Sequence, residues 1–114
     1  MLKEERLYSC EVCDEDMVVK LLGEMDHHNA KELRGEVDSL ILEYRPQRVV
    51  LDLSEISFMD SSGLGFIMGR YSLAKELGAS LVLRAPTPAV MKIITLAGME
   101  RMIKIEKSIK EGDV

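Results

Sequence analysis

A chain of 114 residues with 46% hydrophobic and 31% charged side chains has the size and make-up of one globular domain able to bury a core of its own. A formal net charge of −5 argues against direct binding of nucleic acid, which calls for a basic patch or stripe. No apolar run approaches the ~18 residues that span a bilayer, and Met1 to Arg6 is too acidic and polar to open a secretory signal, so a single cytoplasmic domain over 1–114, without membrane insertion, is expected.

Leu7 to Val12 and Met17 to Leu22 are strand-like runs parted by the polar Cys13-Asp14-Glu15-Asp16, a hairpin signal. Cys10 and Cys13, the only two cysteines, fall in or beside the first of these runs, away from the helix starts that activate redox thiols. His27 and His28 are adjacent and lack the three to five residue gap of a zinc-finger pair. Reduced structural cysteines and no metal are therefore expected. Asp26, at the end of Gly23-Glu24-Met25-Asp26, is placed to cap a helix carrying Ala30, Leu33, Val37, Leu40 and Ile41 on one face, which Pro46 ends.

Val49-Val50-Leu51-Asp52-Leu53 reads as a strand covered on both faces of a sheet. Then comes the turn Phe58-Met59-Asp60-Ser61-Ser62-Gly63-Leu64-Gly65, and Leu64, Ile67, Met68, Tyr71, Ala74 and Leu77 recur at the helical period. Gly78 stops that helix and Ser80 to Arg84 forms the next strand. Pro86-Thr87-Pro88 opens a short helix through Val90, Ile94 and Ala97, Gly98 closes it, Met102 to Ile105 supplies a last strand, and Glu106 to Val114 forms a further helical stretch. The sum is an α/β domain: a mixed sheet of about four to five strands, an N-terminal hairpin plus a parallel body with right-handed crossovers, and about four helices. In such sheets sites gather beyond the carboxyl ends of the strands, which selects two loops, Gly23 to His28 and Phe58 to Gly65.

Two roles compete for the serine turn. In one, Ser61 or Ser62 caps the helix while Gly63 and Gly65 permit close packing on the sheet. In the other, the hydroxyl accepts a phosphate, which the helix dipole tolerates at that end and which adds about −1.5 to −2 charges beside Asp60. A hydrolase lacks the Gly-x-Ser-x-Gly elbow. A nucleotide cradle lacks the third glycine of Gly-x-Gly-x-x-Gly, since Met68 stands there, and nothing basic or aromatic lines the turn strongly.

From Gly23-Glu24-Met25-Asp26-His27-His28 through Val50-Leu51-Asp52-Leu53 and Ser57 to Gly65 as far as Gly69-Arg70-Tyr71, the chain resembles the anti-sigma factor antagonists, which carry the STAS domain, in their sporulation branch. That resemblance implies a non-enzymatic partner switch without a cofactor, monomeric when free. Its unphosphorylated form binds an anti-sigma factor that is also a serine kinase, which releases sigma F. The kinase modifies the first serine of the turn, here Ser61, and a PPM-type serine phosphatase restores it. Contacts with the partner carry over to Asp26 and Glu24 and to the turn itself: Asp60, Ser61, Ser62, Gly63 and Leu64. A nucleotide- or lipid-sensing STAS module is the alternative.

Overall fold

A computed structural model describes residues 6–107. The hairpin forms as expected, with β1 (Tyr8–Cys13) antiparallel to β2 (Asp16–Met25). Its turn is tighter than the four polar residues suggest: Cys13 already pairs with Asp16, and Asp14 takes the left-handed conformation at φ 55°. There follow α1 (His27–Tyr44), β3 (Arg48–Met59), α2 (Ser61–Glu76), β4 (Ser80–Arg84), α3 (Pro88–Leu96), a 3-10 turn at Met99–Arg101 and β5 (Lys104–Glu106). The strands lie in the order β1-β2-β3-β4-β5, parallel from β2 onward.

Each crossover steps one place in the same direction, so right-handed connections put all three helices on one face. Met17, Val19 and Leu21 of β2, Val49, Leu51 and Leu53 of β3, and Leu81 and Leu83 of β4 point to that face. There they form one core with Leu33, Val37 and Ile41 of α1, Phe66 and Ile67 of α2, and Val90 and Ile94 of α3.

The expectation that β3 is covered on both faces is corrected. Its second face carries no helix among the described residues. Val50 and Val82, in register on neighbouring strands, are nevertheless buried there. Charged residues share that face, two places along from the valines: Arg48 bonds Asp16 at 2.8 Å and Glu106 at 2.9 Å, and Arg84 reaches Glu106 at 3.4 Å. Arginine stems in such positions can shield apolar neighbours while the charged heads stay wet.

Two further expectations change. The described residues hold three α-helices rather than about four. The fourth expected helix runs from Glu106 to Val114, yet Glu106 belongs to β5, paired with Arg84, and 108–114 lie outside the described residues. The last strand begins at Lys104 rather than Met102, because Met102 N–H and Ile103 N–H both donate back to Met99 O, at 3.0 and 2.9 Å, which holds these two residues in the turn that follows the 3-10 element.

Candidate functional site

β3 runs to Met59 and β2 to Met25, so both expected loops shrink to single residues, Asp60 and Asp26. The polar stretch Ser54 to Phe58 hides the continuation of β3 because its pattern breaks alternation. Register shifts between Lys20/Leu22 and Gly23/Glu24 on β2 face extra residues on β3, pairing Leu22 with Glu55, Gly23 with Ile56 and Glu24 with Phe58. Each bulge flips the side-chain parity, which turns Ile56 and Met59 inward and leaves Phe58 48% exposed. Phe58 is thus an aromatic surface beside the serine turn that alternation alone does not reveal.

The two strands end level, Met25 paired with Met59, and Asp60 N–H donates to Met25 O at 3.4 Å. From this edge α1 and α2 start side by side. Asp26 Oδ1 accepts from Asn29 N–H at 2.9 Å and Asp60 Oδ1 from Ser62 N–H at 2.8 Å, both caps in extended backbone. Asn29 Nδ2 also donates to Glu24 O at 2.8 Å, which ties the exposed Glu24 to the start of α1. An aspartate at each helix start meets the free amides and the positive dipole end together.

Neither serine caps α2, because Asp60 already does. Ser61 is the first helical residue and exposed; Ser62 is half-buried, and neither hydroxyl makes a hydrogen bond within the protein among the described residues. Gly63 explains how the helix sits so low on the sheet. A Cβ there would stand 2.5 Å from Met59 Cγ and 3.1 Å from both Met25 Cβ and Met59 Sδ, whereas one on Gly65 would meet nothing within 4 Å. Close packing is thus the business of Gly63 alone. Leu64, half-buried, packs against the core.

The structure therefore brings Glu24, Asp26, Asp60, Ser61, Ser62, Gly63 and Leu64 to one edge of the sheet, at the carboxyl ends of β2 and β3. His27 and His28 share that edge but hydrogen-bond neither serine among the described residues; His28 Nε2 lies 4.0 Å from Glu32 Oε2 on the exposed face of α1. Cys10 sits in β1, where burial, and then the Glu11 charge, raise its thiol pKa, the opposite of an activated thiolate.

Sequence reasoning missed the pair beneath the site. Arg70, 4% exposed, lies over the Phe66 ring at 4.8 Å and donates from Nη1 to Phe66 O at 3.2 Å and from Nη2 to Asp38 Oδ2 at 3.3 Å. Its Nε stands 2.7 Å from Asp38 Oδ1, close enough for an ion pair although the N–H points away from the oxygen. Desolvation, partly offset by Asp38, lowers the Arg70 pKa. The i, i+4 spacing of Phe66 and Arg70 hints at their contact; the tie to Asp38 joins two helices and has no local signal.

Among the described residues no helix is long and apolar enough to cross a membrane. The family model of the STAS domain matches residues 9–112. The chain is 35% identical over 89 residues to an anti-sigma F factor antagonist of Paenibacillus polymyxa, covering 78% of this chain and 76% of that one. Its fold is similar to the solved structure of the anti-sigma factor antagonist SpoIIAA in its unphosphorylated form, at a TM-score of 0.76 and 27% identity over 93% of this chain and 90% of that one. It is likewise similar to the Bacillus cell fate determinant SpoIIAA in the phosphorylated form, at 0.69 and 26% over 93% and 94%.

Proposed function

The chain belongs to the STAS domain family, and from that premise we propose that it is an anti-sigma factor antagonist, a cytoplasmic, non-enzymatic switch whose partner is a serine kinase. The unphosphorylated chain binds this kinase, which is itself the anti-sigma factor, and so releases sigma F. Ser61 then accepts phosphate from ATP: its hydroxyl oxygen displaces ADP from the γ-phosphorus, and its proton passes to a base on the kinase. A PPM-type serine phosphatase reverses the step.

One observation carries this function: Ser61 is exposed at the first position of α2 while Asp60 does the capping. A hydroxyl with no structural duty can be modified without unfolding the helix, and the free amides nearby favour the new anion. Its effect falls on docking instead. About −1.5 to −2 charges arrive on an edge already carrying Asp60, Asp26 and Glu24, with Phe58 exposed beside them. A partner adapted to that edge meets repulsion and the cost of desolvating a dianion, several kcal/mol in a close interface. The names of the relatives support the choice of an anti-sigma F factor as the partner.

Incubation with the cognate kinase and ATP, followed by mass spectrometry, is expected to place a single phosphate on Ser61. A Ser61→Ala chain should stay bound to the kinase and unmodified, and a Ser61→Asp chain should not bind. Phosphate uptake by the alanine variant refutes the assignment.

A further inference from the structure

β1 stands at one end of the strand order and pairs only with β2 among the described residues. Leu22 N–H donates to Leu7 O at 2.9 Å, which fixes the alternation of the antiparallel ladder. Leu7, Ser9, Glu11 and Cys13 turn their backbone groups toward β2, and Tyr8, Cys10 and Val12 turn theirs outward. Natural sheet edges are guarded against further pairing by charge, proline, a bulge or short length. At the other end of the sheet β5 is guarded in this way, with three residues that include Lys104 and Glu106. β1 is not: it runs six residues in unbroken register with Glu11 as its single charge. The rim beside it is apolar as well. Tyr8 Oη donates to Glu36 Oε1 at 3.2 Å, and α1 continues from there in the direction of β1, which carries the stripe of Leu40 and Tyr44 along the same edge. Val12 is 47% exposed and Tyr44 50%.

We propose that the outer edge of β1 pairs with the β1 edge of a second copy of this chain, antiparallel about a twofold axis at Cys10, so that the two sheets become one. The strand is self-complementary in that register. Tyr8 faces the partner's Val12 on the helix side, Ser9 faces the partner's Glu11 on the other, and every outward backbone group from Tyr8 to Val12 finds its bond. An aromatic residue opposite a β-branched one is among the favourable cross-strand pairs. Moving the axis to residue 11 sets Glu11 against the partner's Glu11, and moving it to residue 9 leaves Val12 outside the pairing. This surface goes beyond the kinase switch and does not rest on it: the interface follows β1, while the serine turn lies past the end of β3 and stays open on both copies. The family resemblance implies a monomer when free; the unguarded edge of β1 is the reason to expect otherwise.

Sedimentation velocity of the whole chain over a dilution series, with reductant present to prevent disulfides, is expected to show a reversible monomer–dimer equilibrium, weak because a six-residue edge buries little area. Val12→Lys puts a charge on the pairing edge at an exposed position and should weaken the dimer by about tenfold or more. Ser9→Glu should weaken it too, through like charge against the partner's Glu11, while Lys20, opposite residue 9 within the chain, accommodates the new carboxylate in the monomer. Adding Glu11→Lys to Ser9→Glu should restore association, a reversal that follows only from residue 9 facing residue 11. Leu96→Lys, at a 79% exposed apolar position on α3, should change nothing. A chain that stays monomeric at every concentration overturns the inference. So does a dimer indifferent to Val12→Lys, one that the charge exchange does not rescue, or one lost in Leu96→Lys.

Discussion

Replacing Gly63 with alanine sets two effects of opposite sign against each other. Inside a helix, alanine is favoured over glycine by about 1 kcal/mol, so α2, with glycines at 63, 65 and 69, ought to gain from each replacement. At Gly63 the new methyl would sit 2.5 Å from Met59 Cγ and 3.1 Å from Met25 Cβ, against the ~3.5 to 4.0 Å at which carbons rest comfortably. The overlap is roughly 1 Å, and it falls near the root of Met59, a 3% exposed side chain held between strand and helix, so the flexible tip cannot simply swing away. Overpacking of this kind costs about 1 to 3 kcal/mol, which exceeds the propensity gain. Gly63→Ala should therefore be destabilised by up to about 2 kcal/mol net, while Gly65→Ala and Gly69→Ala, with nothing within 4 Å, should be neutral or stabilised by up to about 1 kcal/mol. Urea unfolding reads this directly: the midpoint of Gly63→Ala falls at unchanged slope and those of the other two hold or rise. A Gly63→Ala chain as stable as Gly69→Ala refutes the close approach of α2 to the strand ends.

Asp60→Ala removes the cap of α2 and should cost about 0.5 to 2 kcal/mol, whereas Ser61→Ala should stay within about 0.5 kcal/mol of wild type; thermal unfolding compares them. Hydrogen bonds from Arg48 are the first cause lowering the pKa of both Asp16 and Glu106. Stability from these carboxylates is thus complete above the ordinary carboxylate range, about pH 4 to 5, and is lost as pH falls through the lowered folded values. Arg48→Gln should flatten that acid loss in urea midpoints measured from about pH 6 to 3, and parallel curves for the two chains would rule the linkage out. For the pair beneath the site, Asp38→Ala strands the charge of Arg70, whose side chain is 5% exposed, and should cost about 2 to 3 kcal/mol. Arg70→Met keeps the packing on Phe66 and frees Asp38, 31% exposed, to water, so it should cost less, about 1 kcal/mol; the reverse order in calorimetry would contradict the burial asymmetry.

Elements with one uninterrupted period were legible in the sequence: α1 from its Ala30, Leu33, Val37, Ile41 stripe, the first half of β3 from Val49 to Leu53, and β4. The family motif at the serine turn was equally plain. Long-range geometry was not. The second half of β3 is concealed by bulges that depend on β2, a strand more than twenty residues away in the chain, and the helix-free face of the sheet reads as covered because Val50 and Val82 point to it and are buried there. The tie of Arg70 to Asp38 is invisible for a related reason: the two residues meet only when α1 and α2 pack.

The capping arrangement makes the turn suited to carry a signal. Had Ser61 or Ser62 supplied the cap, phosphorylation would consume the oxygen that satisfies the amides of α2, and modification would trade helix stability against surface charge. With Asp60 accepting from Ser62 N–H, those duties fall to different residues. Aspartate serves the fold and cannot be esterified by a serine kinase; serine serves the surface and can be altered at little structural cost. Gly63 completes the division, since a helix start pressed onto Met25 and Met59 cannot drift when charge is added at its rim. Under the proposed switch, phosphate on Ser61 would change what docks while leaving the fold as it was.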